Sequence, residues 1–262
     1  MAVYGGYETR PFRQETTAGM GAQMLLLALL WLAVGLGPVG WLTGFVFAVT
    51  TWAVLTLALR RSGTRTFGPA NQVTLARATL AGGVAALVAD SLGGRPPVTV
   101  LVALATVALI LDAVDGQVAR RTGTSSRLGA RFDMEVDAFL ILVLSLYVSF
   151  SLGPWVLAIG MMRYAFVAAA WVLPWMNRAL PPSRARKTVA ALQGIVLVVA
   201  GSELLPYAAT FGIVALALAW LVWSFGRDVL WLWRSREVPV VALTVVEGER
   251  KRGTVTVGRR AA

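Results

Sequence analysis

The sequence predicts an all-α, polytopic integral membrane protein with about eight transmembrane helices. Hydrophobic residues make up 57% of the 262 residues and charged residues only 14%, a composition typical of membrane proteins. The apolar residues fall into long runs, separated by short segments with glycine, proline or arginine. No polar stretch is long enough for a sizeable soluble domain, so the expected fold is a bundle of membrane helices.

Two apolar runs form a predicted transmembrane hairpin at residues 24–60. The first run is short for a span, and tilt or local thinning of the bilayer would accommodate it. Residues 1–23 are expected to be a polar cytoplasmic segment, because a second span follows too soon for a cleaved signal peptide. Residues 61–70 form a basic connector at the membrane surface.

A core of six helices is predicted at residues 71–234, followed by a basic cytoplasmic tail at residues 235–262. Glycine, proline and arginine mark the turns between these helices. The expected helices are 71–89, 98–119, 133–152, 155–175, 188–201 and 207–233.

The residues suited to chemistry gather at 112–137, between the second and third core helices, where five of the chain's 13 acidic residues lie. Charges next to lipid are costly, so they indicate a functional site. Asp112 and Asp115 lie one helical turn apart on one stripe, and Asp133 and Asp137 share a face of the next helix. Two hydrophobic helices joined by a polar turn are expected to pack antiparallel, so the two pairs of carboxylates can face each other across a gap.

Four carboxylates in one pocket need compensating positive charge, because repulsion and loss of water both oppose their ionisation. Hard divalent cations fit best, since the chain has no His and no Cys for a softer site. Small residues at Gly116, Ala119 and Gly129 leave room for a ligand, and Arg120 suits a phosphate. The pattern therefore predicts a two-metal site for a diphosphate substrate.

This segment resembles the signature of the CDP-alcohol phosphotransferases, which are integral membrane enzymes of phospholipid synthesis. It matches, without a gap, the pattern DxxDGxxAR, eight residues, GxxxDxxxD. The resemblance implies that a phosphatidyl group moves from CDP-diacylglycerol, or another CDP-alcohol, to an alcohol acceptor, with release of CMP. It also implies two divalent cations, Mg²⁺ or Mn²⁺, as cofactors. Because members of the family are often dimeric, it leaves a homodimer open.

The resemblance also implies roles for single residues. Asp137 would either bind metal or take the proton from the acceptor hydroxyl. The first core helix carries an NxxTxxR pattern that is similar to one at the nucleotide site of the family, although its asparagine could merely cap the helix. The implied metal ligands are Asp112, Asp115, Asp133 and Asp137. The implied CDP pocket comprises Gly116, Ala119, Arg120, Gly129, Asn71, Thr74 and Arg77.

Two basic sites are candidates for binding a phosphate of the acceptor or of a lipid headgroup. Arg163 lies mid-span, where it should either face the polar cavity or pair with a core carboxylate. Arg184, Arg186 and Lys187 precede the fifth core helix, and simple flanking of a span by positive charge is the alternative there. Glu135 points away from the other carboxylates and is expected to pair with an arginine of the adjoining loop.

The positions of the basic residues predict the topology. If both chain termini and every second connector between helices lie on the same side of the membrane, that side has 20 of the 24 Lys and Arg residues. The positive-inside rule then orients both termini and the acidic segment to the cytoplasmic side of the cell membrane. The net charge of +11 is thus explained without nucleic acid. The tail is expected to be solvated, with contact to anionic membrane lipids as the alternative.

Other functions fit the pattern less well. An intramembrane prenyltransferase also uses aspartates and divalent cations, but its acidic motifs are separated by several helices. A non-catalytic protein that retains the motif should have lost a signature residue, and a cation channel should repeat the carboxylates around a pore. The acceptor stays open. Many members that make phosphatidylglycerol phosphate or inositol lipids carry a basic residue after the fourth aspartate, whereas this chain has Ala138 and Phe139. Phosphatidylserine and cardiolipin synthesis remain as alternatives.

Overall fold

The computed structural model describes residues 12–62, 69–94, 97–122, 127–178 and 183–235. Within these ranges the chain forms eight α-helices and no strand, as the sequence predicted. The helices are α1 (Phe12–Val34), α2 (Pro38–Ser62), α3 (Pro69–Asp90), α4 (Val98–Thr122), α5 (Arg127–Leu152), α6 (Leu157–Val172), α7 (Arg184–Gly201) and α8 (Tyr207–Ser235). Short 3₁₀ turns follow α3, α5 and α6.

Six of the described helices, α1, α2, α3, α5, α6 and α8, are long and apolar enough to cross a membrane. In α4 and α7 the apolar part is shorter, at Val98–Val114 and Thr188–Gly201. The chain is therefore a polytopic membrane protein of the predicted class.

Several helices extend beyond their apolar runs. α1 begins at Phe12, inside the segment expected to be polar, and α5 and α7 begin at Arg127 and Arg184. Gln, Met, Arg and Ala are good helix formers, so a helix continues where hydropathy falls. Residues 1–11, most of the basic connector and the predicted cytoplasmic tail lie outside the described residues.

The central helix is α3, which packs against the hairpin helices α1 and α2 as well as against α4 and α5. Small buried residues such as Ala81 and Val84 allow several neighbours to approach closely. At Gly82, an added Cβ would lie 2.5 Å from the ring of Phe47 on α2. Phe47 in turn stacks on Phe139 of α5, with ring centroids 4.8 Å apart. The hairpin is thus packed directly against the core.

The sequence predicted that α4 and α5 pack antiparallel with their carboxylates facing each other across a gap, and among the residues that the structure describes only the direct packing of the two helices is not found. Within the described residues, α4 and α5 do not pack along each other; both pack against α3 and α7 instead. Charged side chains occupy the space between α3, α4 and α5, and they cannot interdigitate as closely as apolar ones. The polar site described next lies where side chains of α3, α4 and α5 meet.

Candidate active site

Three aspartates meet where α3, α4 and α5 face one another. Asp112 lies on α4, and Asp133 and Asp137 lie one turn apart on α5. One carboxylate oxygen from each lies within 4.8 Å of the other two. About a third of each side chain is exposed, at 38%, 36% and 37%. The carboxylates that the sequence assigned to two facing stripes therefore converge, and they remain open to a ligand.

Arg77 of α3 lies against all three of these carboxylates. Its Nη1 is 3.0 Å from Oδ1 of Asp112 and donates to Oδ1 of Asp133, and its Nη2 donates to Oδ1 of Asp137. The Arg77 side chain is only 1% exposed and lies within a candidate membrane span. A buried arginine in an apolar helix requires charged partners, and the carboxylates provide them.

The sequence linked Arg77 to the nucleotide pocket but not to the carboxylates themselves. The available signal was a charged residue inside an apolar helix, which indicates that a counter-ion lies elsewhere in the fold. Thr74 lies one turn before Arg77 on α3 and is 2% exposed, so the same face of this helix turns inward at both positions. Asn71 lies on the first turn of α3, and its side chain is outside the described part of the structure.

Of the other predicted site residues, Gly129 is described by the structure, whereas four residues of α4 have side chains outside the described part. Gly129 lies on α5, one turn before Asp133. The remaining members of the signature lie on the last turns of α4, and their predicted roles stay predictions. They are Asp115, Gly116, Ala119 and Arg120.

The donor set suits a hard divalent cation. The converging ligands are carboxylate oxygens, and the chain has no His or Cys that could add a nitrogen or sulfur ligand. Three carboxyl groups face a single guanidinium, so a bound cation would add the positive charge that the cluster needs when all three are ionised. The residues present therefore fit Mg²⁺ or Mn²⁺.

Arg163 of α6 is not part of this cluster. Its Nη2 donates to Oε1 of Glu135, and its Nη1 lies 3.7 Å from Sδ of Met134. The sequence predicted that Arg163 either faces the polar cavity or pairs with a core carboxylate. In the structure Arg163 pairs with a carboxylate, that of Glu135. Glu135 was expected to pair with a loop arginine, and among the described residues Arg163 takes that place. Both partners lie on helices, so this pair links α6 to α5.

Arg186 of α7 is held by a residue that sequence reasoning missed. Its Nη1 lies 3.1 Å from Oδ2 of Asp228 on α8, and Nη2 of Arg227 lies 3.9 Å from the other oxygen of the same carboxylate. Asp228 is 13% exposed, whereas the arginines are 29% and 41% exposed. A lone acidic residue in the long apolar helix α8 was the signal for this pair. The side chains of Arg184 and Lys187 lie outside the described residues.

A family model described as CDP-alcohol phosphatidyltransferase matches residues 67–225. The matched range is more than half of the chain and includes Arg77 and the three converging aspartates. Comparisons with curated proteins and with solved structures found no match.

Proposed function

Because the chain belongs to the CDP-alcohol phosphatidyltransferase family, we propose that it transfers a phosphatidyl group from CDP-diacylglycerol to an alcohol and releases CMP. The family as a whole acts on CDP-alcohol donors and alcohol acceptors in membranes and uses divalent metals. The specific donor, the acceptor and the roles of single residues are part of this proposal.

One observation carries the proposal, namely the convergence of Asp112, Asp133 and Asp137 around a buried arginine. A diphosphate is an anion that needs compensating charge as it reacts. Carboxylates that hold divalent cations, together with a guanidinium, supply that charge. The position of the site suits a lipid substrate, because α3 and α5 are themselves candidate membrane spans.

In the proposed reaction, the acceptor hydroxyl oxygen bonds to the phosphorus that carries diacylglycerol, and the bond from that phosphorus to the oxygen of CMP breaks. Asp137 accepts the hydroxyl proton or serves as a metal ligand. Asp112, Asp115 and Asp133 hold the metals. When bound, Mg²⁺ or Mn²⁺ would supply charge neutralisation for the diphosphate and for the leaving CMP.

We assign donor binding to residues on α3, α4 and the start of α5. Arg77 is the described cation closest to the carboxylates, and Thr74 shares its inward face. Small residues near the carboxylates leave space for the nucleotide, and Arg120 would bind its phosphates. The proposed CDP pocket comprises Asn71, Thr74, Arg77, Gly116, Ala119, Arg120 and Gly129.

For the acceptor, Arg186 with its neighbours Arg184 and Lys187 is the better of the two predicted sites. Both arginines are paired with a carboxylate and are similarly exposed, at 29% for Arg186 and 31% for Arg163. Asp228, however, is shared between Arg186 and Arg227, so positive charge outweighs negative charge at Arg186, whereas Arg163 and Glu135 form a balanced pair. We further propose that both termini and the active site face the cytoplasm, since 20 of the 24 basic residues then lie on that side. The site would thus face the supply of CDP-linked substrate.

The test is release of CMP from CDP-diacylglycerol by purified protein in detergent with Mg²⁺ or Mn²⁺. The acceptor panel is glycerol 3-phosphate, inositol, inositol 1-phosphate, serine and phosphatidylglycerol. We expect metal-dependent release with one of them, which names the acceptor, and none in EDTA or in Asp137→Asn. Protein that neither turns over nor binds the donor would contradict the proposal and make prenyl transfer from a diphosphate the next test.

A further inference from the structure

The carboxylate site contains a cationic side chain, the guanidinium of Arg77. A single guanidinium contacts Asp112 and Asp133 through Nη1 and Asp137 through Nη2. These are the same three residues whose carboxylate oxygens form the candidate metal-binding group. The planar fork of arginine is suited to several carboxylates at once, which a lysine ammonium is not. Arg77 therefore contacts every carboxylate of the group that would hold the metal.

Arg77 and a divalent cation cannot both be accommodated there without a cost. The guanidinium is buried, so water does not screen its repulsion of a cation bound to the same carboxylates. A buried charge also cannot be left without a partner when those carboxylates turn to metal. An anion that arrives together with the metal removes both difficulties, because it offers Arg77 new oxygens to which it can donate.

We infer that Arg77 is a built-in counter-ion, which holds the three aspartates together before metal binds and moves onto the donor's diphosphate when metal enters. This inference rests on the proposed function for the identity of the anion. Its consequence is positive coupling, so that metal binds weakly alone and more tightly with the diphosphate. By linkage, the diphosphate likewise binds more tightly with metal.

The test uses Mn²⁺ as the metal and CDP as a soluble diphosphate, and it follows free Mn²⁺ by electron paramagnetic resonance on metal-stripped protein in detergent. In Arg77→Met, we expect Mn²⁺ to bind about tenfold more tightly than in wild type without CDP. CDP should then increase Mn²⁺ affinity less than it does in wild type. The matched control is Arg163→Met, which breaks an ion pair with Glu135 outside the site and should leave Mn²⁺ affinity unchanged.

Thermal unfolding of the same proteins gives a second readout. Without metal, Arg77→Met should unfold at a lower temperature than wild type, because three carboxylates lose their counter-ion, and Mn²⁺ should remove this deficit. An equal deficit with and without Mn²⁺ would mean an ordinary packing role and would overturn the inference. If Arg77→Met cannot be prepared, Arg77→Lys takes its place, since lysine lacks the fork, and Mn²⁺ should bind it more tightly than wild type.

The outcomes separate this inference from the proposed function. Wild-type protein that binds no Mn²⁺, with or without CDP, would contradict the proposed function itself. If wild type binds Mn²⁺ and CDP strengthens that binding, but the Arg77 variants bind Mn²⁺ alone no more tightly than wild type, only the counter-ion role is overturned.

Discussion

Asp90, the last residue of α3, accepts a hydrogen bond of 2.9 Å from the backbone N–H of Gly37, directly before α2. Its other carboxylate oxygen accepts the backbone N–H of Gly40 at 3.3 Å. A negative charge at a helix N-terminus satisfies free N–H groups and interacts favourably with the helix dipole. The end of the first core helix therefore caps the second helix of the hairpin.

We expect Asp90→Ala to lower the free energy of unfolding by about 1–2 kcal/mol, because the N–H groups of Gly37 and Gly40 at the start of α2 lose their acceptor. Thermal unfolding in detergent would measure the effect. Ser91→Ala is a suitable control, since the Ser91 hydroxyl donates only locally, to the carbonyl of Val88 at 2.6 Å. A loss no larger in Asp90→Ala than in this control would show that the cap contributes nothing.

The contact between the hairpin and α3 can be tested at Gly82. An added Cβ would lie 2.5 Å from Phe47 and 2.6 Å from Oε1 of Gln23, so Gly82→Ala should destabilise the protein by about 1–3 kcal/mol. Gly212→Ala on α8 is the matched control, because a Cβ there would meet no heavy atom within 4 Å beyond its own stretch of helix. Equal melting temperatures for the two variants would contradict the tight docking of the hairpin.

The converging aspartates should be needed for catalysis and for metal. We expect Asp112→Asn and Asp133→Asn each to lower CMP release by about 10²–10³-fold, because each loses charge that stabilises the transition state. Both variants should also bind Mn²⁺ more weakly. Glu135→Gln, on the same helix as Asp133 but paired with Arg163, should keep most of the wild-type rate. If Glu135→Gln lowers CMP release as much as Asp112→Asn and Asp133→Asn do, the loss is not specific to the aspartates, and the proposed site is contradicted.

Acceptor binding can be tested at Arg186. We expect Arg186→Gln to raise the KM for a phosphate-bearing acceptor by about tenfold or more, through loss of a charged hydrogen bond, with little change in kcat. Arg178→Gln is the control, since Arg178 donates to the backbone oxygen of Ser235. Turnover with neutral acceptors alone, or an equal KM effect on neutral and phosphorylated acceptors, would contradict this role.

The sequence predicted the fold class because long apolar runs have few alternatives to membrane helices. It also predicted which aspartates share a face, since that follows from helical spacing alone. It did not predict that Arg77 would enter the same cluster, because Arg77 and Asp133 are 56 residues apart and their contact depends on how α3 and α5 pack.

The sequence also did not predict which charged residues pair with each other. The sequence indicated that Arg163 and Glu135 each need a partner. It favoured a loop arginine for Glu135, because such an arginine is nearer along the chain than Arg163, which is the partner in the structure. The sequence predicted a gap between the carboxylates of α4 and α5, but it did not predict that α3 and α7 would pack against both helices. Three-dimensional packing decided these features.

The central claim is that the protein transfers a phosphatidyl group. The most direct test supplies CDP-diacylglycerol labelled in its acyl chains, with Mn²⁺ and the preferred acceptor, and measures CMP and labelled lipid together. Transfer predicts equal molar amounts of CMP and of a new phospholipid, both abolished by EDTA and by Asp137→Asn. CMP formed with phosphatidic acid as the sole lipid product would indicate hydrolysis, and an unconsumed donor would indicate another activity, so either result would contradict the claim.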